Sequence, residues 1–149
     1  MKFHFVAAAA VAAFTTPAFA DGHAPTAGDA EAGEKAFRQC ISCHVVVDDE
    51  GNTLAGKKAK TGPNLYNVAG RTLGTVEGFK YSKDMIAAGE AGLAWNEETF
   101  AAFTMDPTGY LREATDNSKA RSKMTFKLRK EEDAANLYAF LFGLANPAE

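Results

Sequence analysis

The hydrophobic and polar positions of the chain change rhythm along its length, and each change predicts a different kind of structure. Residues 5–14 form an apolar run, well short of the roughly 20 residues a membrane-spanning helix needs. From Ala30, the positions Ala30, Gly33, Phe37 and Ile41 recur at three- and four-residue spacing. That period predicts a first helix capped by Asp29, with Cys40 and Cys43 at its C-terminal end. Between Val45 and Gly78 the period fails, and Gly, Asn, Pro and Lys dominate. A structureless loop of that length is unusual inside a small domain unless it packs against something other than chain. Three shorter helices follow. Ser82 to Ala88 is stopped by Gly89, Asn96 to Met105 stops before Pro107, and Pro107 to about Ala114 is capped by Asp106. A final helix opens near Lys130, with Glu131, Glu132 and Asp133 where the helix dipole favours acids. It presents a stripe of Ala134, Leu137, Leu141 and Leu144 with Phe140. That stripe needs a partner, which the first helix supplies. Gly33 has two readings: a place where the two backbones cross closely with Phe140 filling the gap, or a weak helical position costing about 1 kcal/mol relative to alanine. The predicted fold class is all-α, about five helices with long loops.

The ends of the chain organise the rest. Lys2 before the apolar run and Ala18-Phe19-Ala20 after it form the pattern of a cleavable export signal. The expected organisation is a signal peptide over 1–20, a polar, mobile lead-in over 21–28 and a single domain over 29–149, with the mature protein starting at Asp21. Removing Lys2 from 16 basic side chains leaves 15 against 19 acidic ones, a formal charge of −4. That balance excludes nucleic acid as a general partner. The domain is expected to be monomeric.

Chemistry enters at Cys40-Ile41-Ser42-Cys43-His44, which holds both cysteines of the chain. Cys-x-x-Cys alone serves thiol redox chemistry or half a zinc site. A histidine directly after it is the order that tethers a haem, the thiols adding to the porphyrin vinyl groups and His44 lying under the iron. A haem also answers the objection to the long loop, which can then pack on porphyrin. A second axial ligand is sought among the methionines. Met85 and Met105 sit on apolar faces of predicted helices, where methionine is usually core. Met124 lies in an irregular segment 80 residues after His44, where a loop can carry a soft thioether to the far haem face, favouring the ferrous state.

These residues carry a family resemblance. Gly33 and Phe37 precede the haem motif; Thr61-Gly62-Pro63-Asn64-Leu65-Tyr66, Gly70-Arg71 and Gly78-Phe79-Lys80-Tyr81-Ser82 follow it; Trp95 with Glu97-Glu98 and Lys123-Met124-Thr125-Phe126 complete the set. In order and spacing the chain resembles the class I cytochromes c, most closely the bacterial cytochrome c2 and c550 group, from Gly28 to about Leu144. The resemblance implies a small cytochrome c fold wrapped around one covalently attached haem c, with His44 and Met124 as axial ligands. It implies that the Pro63 carbonyl accepts the other ring N–H of His44, and that Arg71, Tyr81 and Trp95 contact the haem propionates. Two stretches, Val45 to Lys60 and Leu111 to Ser122, are longer than in the short mitochondrial members. Met85 stands where those carry an asparagine beside the haem, so hydrogen bonding there does not transfer.

Charge placement suggests how such a protein meets partners. Lys119 to Lys130 holds six basic residues, Lys119, Arg121, Lys123, Lys127, Arg129 and Lys130, and no acid. A charge run is usually a solvated face, but this one surrounds Met124, where it would steer the haem edge onto acidic surfaces. Lys57, Lys58 and Lys60 extend the same positive character. By resemblance the protein is a periplasmic one-electron shuttle, not an enzyme, drawing from a cytochrome bc1 complex and delivering to a photosynthetic reaction centre or a terminal cytochrome oxidase. Two other classes are consistent with the motif alone: a haem enzyme or gas-binding protein with a displaceable sixth ligand, and a thiol oxidoreductase using Cys40 and Cys43.

Overall fold

Asp29 begins the first helix. Its carboxylate accepts the N–H groups of Glu31 at 2.8 Å and Ala32 at 3.1 Å, and α1 runs Ala30–Phe37. This computed structural model describes residues 23–147, so the expected signal peptide over 1–20 and the start at Asp21 lie outside the described residues. The helix is shorter than its period predicts. After Phe37 the backbone tightens into turns, with Cys40 N–H on the Phe37 carbonyl at 2.8 Å and Cys43 N–H on that of Cys40 at 3.0 Å. Tightening of this kind satisfies carbonyls that a helix end leaves over. Cys40 and Cys43 therefore leave the helix on turns instead of riding on it.

The aperiodic stretch is not wholly without secondary structure. β1 (Val46–Val47) pairs antiparallel with β2 (Thr53–Ala55), and an irregularity in the register falls between Val46 and Val47. These two strands, two and three residues long, add a small ladder to secondary structure that is otherwise helical among the described residues. Asn64 clamps the loop across it: its side chain accepts Val47 N–H at 3.0 Å and donates to the Val47 carbonyl at 2.7 Å.

α2 (Lys83–Glu90) is capped by the Ser82 hydroxyl and runs past Gly89, the expected stop. Its end lies at Gly92, whose φ of +88° suits a residue without a side chain. Gly92 N–H reaches the Gly89 carbonyl at 2.9 Å and Leu93 N–H that of Ala88 at 3.2 Å, the Schellman pattern of helix closure. Gly89 instead serves close packing, since a Cβ there would run into the Leu73 carbonyl. α3 (Glu97–Met105) opens with a capping box in which Asn96 and Thr99 satisfy each other's backbone N–H. α4 (Pro107–Ala114) follows at once, capped by Asp106 with Pro107 in its first turn. α5 (Glu131–Ala145) starts without a side-chain cap, its first turn carrying three acids.

Packing follows from the two helical stripes. α5 buries Ala134, Leu137, Tyr138, Phe140 and Leu141 against α1 and α3. At the α1 crossing, Gly33 resolves to the close approach: a Cβ would collide with the Asn136 carbonyl and come within 2.7 Å of Phe140 Cβ. The Phe37 and Phe140 rings meet beside it at 5.6 Å. The lead-in expected to be mobile is hydrogen-bonded where it is described. Thr26 donates its N–H and hydroxyl to Glu97 at 2.7 and 2.6 Å, and Tyr138 donates its hydroxyl to the His23 carbonyl at 2.6 Å.

Candidate functional site

Residues 61–65 return to the Cys40–His44 segment through the backbone. Gly62 N–H donates to the Cys43 carbonyl at 2.7 Å, and Leu65 N–H to that of Val45 at 2.9 Å. This return sets Pro63 against the histidine, and His44 Nδ1 donates to the Pro63 carbonyl at 3.0 Å. A carbonyl only accepts, so Nδ1 carries the proton and Nε2 keeps its lone pair. Burial pulls the imidazole below its usual pKa, against the opposing effect of the Pro63 bond. The Pro63 bond thus fixes the tautomer a metal ligand needs. Gly62 completes its cradle, because a Cβ there would stand 2.6 Å from Nδ1 and 2.8 Å from Nε2.

His44 opens onto a cleft, partly open to solvent, whose walls come from α1, α2, α3, α5 and the irregular segments between them. Cys40, Cys43, His44, Pro63, Arg71, Tyr81, Trp95 and Met124 all line it, so every expected haem contact converges there. Its walls are mostly apolar, formed by Phe37, Leu65, Val68, Phe100, Phe103, Leu128, Leu137 and Leu141. Met85 lines it as well and is buried, so two thioethers reach the cleft.

Arg71 is placed by two carbonyls, donating Nη1 to Tyr66 at 2.8 Å and Nη2 to Asn64 at 3.1 Å. Burial works against its charge, and neighbouring Tyr81 opposes that effect. Burial likewise raises the Tyr81 phenol, with Arg71 pulling the other way. A half-buried cation beside a phenol, both facing the cleft, suits an anionic group at that end. Trp95, 8% exposed, meets Phe103 edge-on with centroids at 5.1 Å and stacks on Tyr110 at 6.4 Å.

The donor set fits a c-type haem. It offers two thiols, an oriented imidazole with a free nitrogen, thioethers, apolar walls and a cation. It fits thiol exchange poorly: burial, reinforced by Cys43, pushes the Cys40 thiol up to about 11, away from the lowered value a reactive thiol needs.

Sequence reasoning missed the residues that hold the Met124 segment. Asp84, buried on α2, accepts Arg121 N–H at 3.0 Å and the Asn117 side chain at 3.4 Å. Ser122 then caps Met124, its hydroxyl accepting Met124 N–H at 3.1 Å. No local pattern marks Asp84, because its partners lie more than 30 residues away. The six basic residues of 119–130 are all exposed. Only Lys123 among them lines the cleft, and its ammonium donates to the Lys80 carbonyl. Lys127 pairs with Asp106 at 2.7 Å. Lys57, Lys58 and Lys60 are exposed and lie off the cleft wall, next to Thr61 and Gly62, which are on it.

A cytochrome c2 of Rhodovulum adriaticum is 62% identical over 117 residues, covering 78% of this chain and 93% of that protein. A cytochrome c2 of Cereibacter sphaeroides is 56% identical over 143 residues, 95% of each. Among solved structures, cytochrome c2 from Rhodobacter sphaeroides superposes with a TM-score of 0.79 at 57% identity, over 80% of this chain and 98% of that one. Ferric cytochrome c-550 from Paracoccus versutus gives 0.74 at 40% identity, over 80% and 99%. The family model described as Cytochrome c matches residues 30–145, from the first residue of α1 to the last of α5, and this chain belongs to that cytochrome c family.

Proposed function

We propose that this protein is a soluble periplasmic electron shuttle whose haem c is bonded to Cys40 and Cys43 and ligated by His44 and Met124. Family membership supplies the coarser statement: the chain is an electron carrier with one covalently bound haem c, not an enzyme. The observation that carries the finer reading is the convergence of both thiols, the oriented His44 and Met124 on one cleft. The haem supplies the redox change, one electron at a time between ferric and ferrous iron.

The chain's residues have distinct parts in this. His44 presents Nε2, with Pro63 fixing the ring and making it the more electron-rich ligand. Met124 supplies a soft sulfur that raises the reduction potential. Arg71 would offset the charge of the haem propionates, Tyr81 and Trp95 would offer them hydrogen-bond donors, and the apolar walls would keep water from the iron. Met124 is preferred to Met85 because α2 fixes the Met85 backbone within a helix, whereas Met124 projects from an irregular segment held by Asp84 and Ser122. The donor is a cytochrome bc1 complex, and the acceptor a photosynthetic reaction centre or terminal oxidase, each met through an acidic docking surface.

Optical spectra of the purified mature protein, oxidised and reduced, test the reading. A c-type haem with the weak sulfur-to-iron band is expected, lost in Met124→Leu and retained in Met85→Leu. Loss in Met85→Leu alone would reassign the ligand. Ready carbon monoxide binding by the unaltered protein would favour a haem enzyme or gas-binding protein.

A further inference from the structure

Two thioethers line the haem cleft, Met124 and Met85, and only Met124 has a part at the iron. Met85 is 6% exposed and belongs to the first turn of α2, where the Ser82 hydroxyl accepts its N–H at 3.2 Å. A methionine in such a place is usually a filler of core gaps. Its neighbours give it a second part. Asp84, beside it on α2, is off the cleft wall and accepts Arg121 N–H at 3.0 Å and the Asn117 side chain at 3.4 Å. Arg121 lies three residues before Met124. One helical turn therefore fixes both Met85 and the segment that brings Met124 into the cleft.

The wall around Met85 offers water little to hold. α2 and α3 give the cleft Met85, Phe100, Phe103 and Thr104, with Ser82 at the α2 cap. Both hydroxyls are engaged with backbone: Ser82 accepts Met85 N–H, and Thr104 donates to the Phe100 carbonyl at 2.8 Å. α2 carries Lys83, Asp84 and Glu90, and α3 carries Glu97 and Glu98, yet none of these charges lines the cleft. An internal water needs about two to four polar partners, and a thioether is a poor one. A soft sulfur also suits ferrous iron better than ferric, so the ferric protein is where a competing ligand has its chance.

We propose that Met85 is a positioning residue for Met124: its thioether keeps that side of the cleft dry, denying an incoming ligand and its water a hydrogen-bonding foothold, so that Met124 stays on ferric iron. This role rests on His44 and Met124 as the axial pair. The exchange it opposes breaks one iron–sulfur bond and forms one bond from an incoming lone pair to iron, with no change of oxidation state.

The test uses the ferric holoprotein, exported and loaded with haem in a bacterial host, and titrates it with imidazole while the sulfur-to-iron band is followed. Two pairs of variants separate polarity from size: Met85→Leu with Met85→Gln, and Met85→Val with Met85→Thr. Within each pair the polar member should bind imidazole about tenfold more tightly, the worth of one or two hydrogen bonds to the water it admits. Met85→Leu should match the unaltered protein. If Met85→Gln fails to hold haem, the smaller pair decides. The guanidinium midpoint of each variant is measured alongside, because a merely structural Met85 would make imidazole affinity follow stability whatever the polarity. Equal affinities within the pairs, or affinities ranked by midpoint across all four variants, would overturn the role of Met85 and leave the axial pair intact. A band missing from the unaltered protein, or lost in Met85→Leu, would overturn the axial pair and this role with it.

Discussion

His44 is the side chain whose surroundings leave least freedom. The Pro63 carbonyl fixes one ring nitrogen, and Gly62 lies so close that any Cβ there would run into the ring. Gly62→Ala would put a methyl group 2.6 Å from Nδ1, where neither ring nor backbone can give way without losing the Pro63 bond or the Gly62 N–H bond to Cys43. The expected cost is that of overpacking, about 1–3 kcal/mol, read as a lower guanidinium midpoint of the holoprotein followed by haem absorbance. A midpoint within error of the unaltered protein would mean that the ring has room to move. The Pro63 contact was legible from the resemblance, but the part played by Gly62 was not. A glycine in a loop rich in glycines gives no sign of which one a distant ring approaches.

At the level of elements, the α1–α5 crossing separates two effects of opposite sign. Alanine at position 33 would gain about 1 kcal/mol of helix propensity in α1. It would also collide with the Asn136 carbonyl and Phe140 Cβ of α5. The collision should win, since backbone cannot rotate aside, and Gly33→Ala is expected to destabilise the fold by about 1–3 kcal/mol in chemical denaturation. A more stable variant would show that the helices can separate at little cost. Asp84 tests a different joint, the one between α2 and the segment leading to Met124. Asp84→Ala leaves Arg121 N–H without its acceptor, so about 1–3 kcal/mol should be lost. The sulfur-to-iron band should then fade at a lower denaturant concentration than the helical signal. Simultaneous loss of both would make Asp84 part of the global fold alone. These two joints show what sequence can reveal. Helix starts at Asp29, Ser82, Asn96 and Asp106 were readable because a cap and the N–H groups it serves lie within three residues. The α2 terminus was misplaced at Gly89 because one glycine supplied close packing and another, Gly92, the left-handed turn. The β1–β2 ladder was invisible because strands of two and three residues are too short to show a period.

Across the whole molecule, charge and cleft are arranged against each other. The chain from Asp21 carries a formal −4, yet the segment around Met124 is positive and exposed, and Phe126 beside it is 40% exposed at the cleft wall. An apolar patch set in a basic rim can dock an acidic partner, with long-range attraction setting the encounter and apolar contact holding it. The six cations should not contribute equally. Lys123 stands on the cleft wall, its ammonium held by the Lys80 carbonyl, whereas Lys127 is already offset by Asp106 at 2.7 Å. Electrostatic steering is worth roughly 10- to 1000-fold in association rate when whole surfaces are complementary. At low salt, Lys123→Ala should therefore slow association with an acidic redox partner several-fold, and Lys127→Ala should slow it less. The difference should shrink as the screening length falls from about 10 Å at 0.1 M salt to about 3 Å at 1 M. Stopped-flow reduction of a purified reaction centre or oxidase across that salt range measures it. Equal effects of the two substitutions at every salt concentration would move the docking centre away from the cleft mouth, and rates indifferent to salt would remove the basic rim from the encounter altogether.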